Sequence, residues 1–264
     1  MKLGMPALIE YDSFGQNVEL CKRLSLDFIE LNMNLPYCDL DEVQAFVRKN
    51  PEAMKKIGIT IHLPEEIDIA CSHKTIRKGF LKFIKETVDR SQKLNVSSLN
   101  LHVHPGIYFT LPGGRAWINE KNRAEFLKIF SNSLAELDEY MKNKACRLYF
   151  ENTGINNYVI DCYRETVKYD SFRYTWDIGH DAASGYMISE FMLENISKVA
   201  HMHLHDFDGK KDHNPLYSGN VDIAKYLDIA LEKGDEMSVV VEVKTADSLS
   251  ESIRKLRAAW RNPL

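Results

Sequence analysis

Short apolar runs alternate with longer amphipathic ones along the whole chain. Runs of strand length fall at residues 3–9, 28–33, 57–62, 98–104, 146–150, 172–176, 199–206 and 238–243. Each is followed by a segment with apolar residues near helical spacing, at 14–24, 40–56, 72–94, 120–142, 161–168, 188–196, 221–233 and 248–259. In the segment 120–142, Phe126, Ile129, Phe130, Leu134, Leu137 and Met141 share one stripe. Eight strand–helix units in 264 residues predict a single α/β domain over 1–264, a (β/α)8 TIM barrel with helices outside a closed parallel sheet. No linker, charge block or low-complexity stretch divides the chain. An open doubly wound sheet is the competing architecture, but no GxGxxG follows the first strand. The segment from Pro105 to about Asn119 reads as one long loop that could cover a pocket.

A barrel of this kind collects its chemistry at the C-terminal ends of its strands. The residues there are Glu30, His62, His102, His104, Glu151, Asp177 with His180 just beyond, His203, His205 and Glu242. The densest stretch is Val199-Ala200-His201-Met202-His203-Leu204-His205-Asp206. Alternation along a strand puts His201, His203 and His205 on one face. Imidazoles so grouped need a use for their lone pairs, and a divalent metal is the commonest. His201 lies deeper and reads as structural.

Glu242 sits in Val239-Val240-Val241-Glu242-Val243, where a carboxylate is costly unless it is paired or metal-bound. A buried ion pair, for instance with Lys244, is the plain alternative. Glu151 closes Leu148-Tyr149-Phe150-Glu151 in the same way. Asp177 can be a helix N-cap or, with His180, part of a site. His62 and His104 are as readily hydrogen-bonded structural histidines as ligands. Carboxylates and a histidine around one cation suit proton transfer beside a hydroxy-ketone, through an enediolate. Glu151 and Glu242 come from strands three apart, so they can face each other across the barrel mouth. Hydrolysis by a metal-bound hydroxide is the competing chemistry.

Composition narrows the field. A net charge of −4 and a pI near 6.2 give no general basic surface, which weighs against nucleic acid as a partner. The five cysteines are scattered without a CxxC pair, so buried reduced thiols are expected rather than disulfides or a thiolate zinc site. No apolar run reaches membrane-spanning length, and Met1 to Pro6 contain no signal-peptide core, so a cytoplasmic protein without a membrane partner is expected. A homo-oligomer remains open.

The sequence resembles the xylose isomerase-like TIM barrel superfamily over essentially its whole length. The motifs are His104-Pro105-Gly106, Glu151-Asn152-Thr153, Asp177-Ile178-Gly179-His180, His203-Leu204-His205-Asp206 with Asp208-Gly209, and Glu242. The resemblance implies a metal-dependent isomerase or epimerase of a small sugar, sugar phosphate or polyol ketone. In the ketose epimerases of that group one divalent cation (Mn, Zn, Mg or Co) is held by positions matching Glu151, Asp177, His203 and Glu242. The two glutamates are their acid–base pair, and His180 matches a substrate contact. The endonuclease IV branch, zinc phosphodiesterases acting on abasic DNA, is the alternative. Its three-zinc pattern finds matches in His62, His104, Glu151, Asp177, His180, His203, His213 and Glu242. Its ninth ligand, an aspartate, falls here on Lys211, with Asp212 one residue away. His62, His104, His180 and His213 can thus hold further metal or contact substrate. Arg115 and Trp117, in the long loop, are candidate substrate contacts. A non-catalytic sugar-binding barrel is a third reading, disfavoured by the intact glutamate pair.

Overall fold

The structure is a computed structural model that describes residues 1–259. Its strands are β1 (Lys2–Pro6), β2 (Phe28–Asn32), β3 (Gly58–His62), β4 (Ser98–His102), β5 (Tyr108–Leu111), β6 (Gly114–Trp117), β7 (Arg147–Glu151), β8 (Phe172–Asp177), β9 (Val199–Leu204) and β10 (Ser238–Val241). Eight of them close a parallel barrel in the order β1-β2-β3-β4-β7-β8-β9-β10, with β10 pairing back onto β1. The helices between them cover its outside, as the strand–helix alternation predicts.

Alternation within each strand explains the closure. One set of side chains, including Ile29, Leu31, Ile59, Ile61, Leu99, Leu101, Leu148, Phe150, Trp176, Met202 and Leu204, joins the apolar core. The intervening set, Glu30, Thr60, Asn100, Glu151, Thr175, Asp177, His201 and His203, is polar yet buried. Its members bond to one another across the barrel. The interior is therefore a packed polar layer, with the rings of Phe28 and Tyr149 against His201 at its lower end. At that lower end Gly4 leaves room for the Phe28 ring, which a Cβ would meet at 2.5 Å. Gly4→Ala is expected to cost about 1–3 kcal/mol through overpacking, read as a lower urea midpoint with an unchanged slope.

Several elements differ from the sequence-based expectation. The helix expected over 40–56 is two, Leu40–Lys49 and Pro51–Met54. Pro51 lacks an N–H and disfavours helical geometry at Asn50, whose φ and ψ are −129° and 52°. The helix expected over 161–168 starts earlier and spans Asn157–Thr166. The segment expected as one loop contains the antiparallel hairpin β5–β6, paired from Tyr108 with Trp117 to Leu111 with Gly114. All of β5 is exposed, so the hairpin leaves no apolar–polar alternation to read. Its base is tied down at Pro105, whose carbonyl accepts from Tyr158 Oη at 2.7 Å and from Asn119 Nδ2 at 3.1 Å.

All five cysteines are free, and Cys21, Cys38, Cys146 and Cys162 are buried. Among the described residues no helix is long and apolar enough to cross a membrane.

Candidate metal and acid–base site

Four strands deliver one ligand-type side chain each to a single point. Glu151 ends β7, Asp177 ends β8, His203 stands on β9 and Glu242 follows β10. One ligand atom from each lies within 4.8 Å of the other three. His203 Nδ1 is 3.1 Å from Glu151 Oε1, 3.2 Å from Glu242 Oε2 and 3.7 Å from Asp177 Oδ2.

The three carboxylates are each anchored by neighbours outside the cluster. Asn100 Nδ2 donates to Glu151 Oε2 at 2.5 Å, and the Thr175 hydroxyl donates to the Asn100 carbonyl oxygen. Asp177 caps the short helix Ile178–Ala183, accepting from the His180 N–H at 2.7 Å, so the N-cap and the cluster are roles of one residue. Asn152 locks the Asp177 backbone in both directions, at 2.7 and 2.8 Å. Glu242 makes the ion pair with Lys244 that its sequence context allowed, at 2.8 Å.

The electrostatics follow from burial opposed by neighbours. Burial alone would raise the Glu151 carboxyl, but the His203 and His102 imidazoles outweigh it and hold the group well below its ordinary range. Glu242 is likewise driven well down, with Lys244 and His203 overcoming burial. Burial would lower His203, yet Glu151, Glu30 and Glu242 keep it well above the usual histidine value. His62 is raised to about 9 because its bond to Glu151 outweighs burial. Three carboxylates in one pocket need concentrated positive charge. Glu242 Oε2 is moreover buried without a hydrogen-bond partner. Mixed oxygen and nitrogen donors of this kind fit a divalent cation such as Mn, Mg, Co or Zn.

Two further groups flank the cluster. His62 and His102 approach the Glu151 carboxylate at 3.3 and 3.4 Å. Of the two histidines at this strand end, His102 is the one that meets Glu151. Strand β4 ends at His102, which shares its face with Asn100, whereas His104 lies beyond the strand. His104 lines the cleft with a buried, unpartnered Nε2. On the other flank are His180, His205 and His213, the last two stacked at 4.0 Å between centroids. Lys211 is exposed. The Asp212 carboxylate instead lies 3.1 Å from His213 Nδ1 and 3.6 Å from His180 Nε2. His213 has a left-handed φ of 54°, a turn that sequence spacing does not reveal. Gly179 lies against the His205 ring, which a Cβ would meet at 2.0 Å, so the close approach requires glycine.

The loop carrying His213 is built on Asp206. This buried carboxylate accepts from the N–H groups of Phe207, Ser218, Gly219 and Val221, all at 2.9–3.0 Å. Asp206→Ala strips the acceptor from those donors and is expected to destabilise by about 2–4 kcal/mol, measured by urea unfolding.

A cleft of about 470 Å³ opens above the cluster, lined among others by Asn32, His62, Thr153, His180, Glu242 and Lys244. That is a typical size for a small-molecule site, roughly 300–1,000 Å³. The cleft lining includes neither Arg115 nor Trp117. Both pack on Tyr108 in the hairpin, Arg115 at 4.4 Å and Trp117 at 4.9 Å, and Trp117 also packs against the hydrophobic core.

Glu30, His102 and His205, strand-end residues to which the sequence assigned no role, are neighbours of the site, as is Asn100, which the sequence did not single out. The signal that finds most of them is parity. They are polar residues at alternate positions of strands whose other positions are apolar.

The profile of the xylose isomerase-like TIM barrel family matches residues 18–261. No curated protein matches the sequence. Among solved structures, a D-tagatose 3-epimerase-like protein has 20% identity and a TM-score of 0.79, covering 98% of this chain and 96% of its own. A 3-keto-D-glucoside 4-epimerase from E. coli has 16% identity and a TM-score of 0.76, covering 98% of each chain. An IOLI protein with a bound zinc atom has 16% identity and a TM-score of 0.74, covering 98% of this chain and 97% of its own.

Proposed function

Since the chain belongs to the xylose isomerase-like TIM barrel family, we propose that it is a divalent-metal-dependent isomerase or epimerase of a small sugar, sugar phosphate or polyol ketone. The observation carrying this reading is that Glu151 and Glu242 meet in one buried group with Asp177 and His203, beneath an open cleft. Neighbours in fold that are named as sugar epimerases, and one with bound zinc, support it by analogy.

A bound cation supplies positive charge for the negative charge that develops on the substrate oxygens. Glu151, Asp177, His203 and Glu242 are the residues to hold it. The chain's own part is proton movement. One glutamate takes the proton from the carbon beside the carbonyl, and the facing glutamate returns one. Both carboxyls are held well below their ordinary range by basic neighbours, so each starts as a carboxylate, the form that can take a proton. His180 and His62 border the cleft and can bind hydroxyls. The test is solvent exchange. Purified protein with Mn²⁺ in D2O is expected to place deuterium beside the carbonyl of at least one small ketose, whereas no incorporation across a panel of ketoses and ketose phosphates counts against the reading.

One observation favours a second reading, the zinc phosphodiesterase on abasic DNA. Asp212 stands beside His180 and His213, where a third cation would need an acidic ligand. Metal analysis separates the two, with near one cation per chain expected for the isomerase and near three for the nuclease. Cleavage of an abasic-site duplex would decide for the second.

A further inference from the structure

Behind His203 lies a buried carboxylate that the proton-transfer reading does not use. Glu30, on β2, is 3% exposed, and its Oε1 is 2.7 Å from His203 Nε2. Its Oε2 accepts from the Thr60 hydroxyl at 3.2 Å and faces His201 Nε2 at 3.1 Å. His201 Nδ1 in turn meets Ser238 Oγ at 2.5 Å. Every partner of this carboxylate can donate, and an ionised carboxylate can only accept.

We infer that Glu30 is a positioning residue that fixes the His203 tautomer, holding the proton on Nε2 so that the Nδ1 lone pair faces Glu151, Asp177 and Glu242. The inference rests on the reading of His203 as a metal ligand. The chemistry is direct. A metal-bound imidazole is neutral: the nitrogen facing the cation gives up its proton, and the nitrogen that meets the Glu30 carboxylate keeps the other. With Glu30 on the Nε2 side, the lone pair lies on the side of the cluster. The ring plane is set by the same contact, because His201 and Thr60 hold the carboxylate in place. A glutamine at position 30 can turn its amide so that it donates to Nε2, which moves the proton to Nδ1 and blocks the ligand atom. Outer hydrogen-bond partners of metal-bound histidines typically contribute ~10–100-fold in affinity.

The experiment has two arms, Mn²⁺ titration by calorimetry and ¹⁵N spectra of histidine-labelled, Zn²⁺-loaded protein. Glu30→Gln is expected to weaken Mn²⁺ binding by ~10–100-fold. In the wild type the His203 ring is expected to carry its proton on Nε2. A merely structural role for Glu30 would not move that proton. If wild type binds Mn²⁺ and E30Q binds within twofold of it, the inference is overturned while the metal reading stands. If wild type takes up no Mn²⁺, the metal reading fails and the inference with it. Should E30Q not fold, the wild-type spectrum still decides, and a proton absent from Nε2 overturns the inference.

Discussion

Replacing Glu242 with Gln is expected to lower solvent-proton exchange into substrate by ~10²–10⁴-fold, the usual contribution of a positioned acid or base. The amide keeps the shape and one oxygen donor, so the fold should hold and metal binding should suffer less than turnover. Glu242 is anchored by Lys244, and its second oxygen is buried with no hydrogen-bond partner. That oxygen faces the cluster, 3.2 Å from His203 Nδ1, and in Gln its position is shared with an NH2 that accepts nothing. The same change at Glu151 should act alike, because the two face each other. Parallel measurement of exchange, metal content and circular dichroism checks it, and near-wild-type exchange in E242Q would remove Glu242 from the proton path.

His203→Gln should have the second large effect. It removes the nitrogen at the centre of the cluster, the atom within 3.1–3.7 Å of Glu151, Glu242 and Asp177. Three buried carboxylates then lose the imidazole that helps keep them ionised together. Loss of a direct ligand should exceed the ~10–100-fold typical of an outer partner, so calorimetry should show Mn²⁺ affinity falling further than in E30Q. Equal affinity in the two variants would place His203 outside the metal's inner ring.

The barrel was legible because each strand keeps its apolar half. Ile59 and Ile61, or Met202 and Leu204, face the helices whatever the inner residues do. The convergence of Glu151, Asp177, His203 and Glu242 was legible for a related reason. Costly polar residues closed otherwise apolar strands, and a barrel sends all such ends to one rim. Other features depend on information that a linear pattern lacks. His102 rather than His104 meets Glu151 because β4 stops at His102, and strand ends are set by sheet register. Glu30 was visible as a strand end, but its bond to His203 crosses from β2 to β9, which lie on well-separated parts of the ring. Asp212 reaches its histidines through the left-handed turn at His213, a conformation that its residue type does not announce. The hairpin at Tyr108 to Trp117 is exposed except at Ala116 and Trp117, the last two residues of β6, so it shows no periodicity from which to infer it.

The central claim is that side chains from four strands share one cation at the barrel mouth. Anomalous diffraction from crystals soaked in Mn²⁺ tests it most directly. The account predicts a dominant manganese peak within bonding distance of Glu151, Asp177, His203 Nδ1 and Glu242 together. A protein that binds Mn²⁺ elsewhere, with no peak among those four, would contradict it.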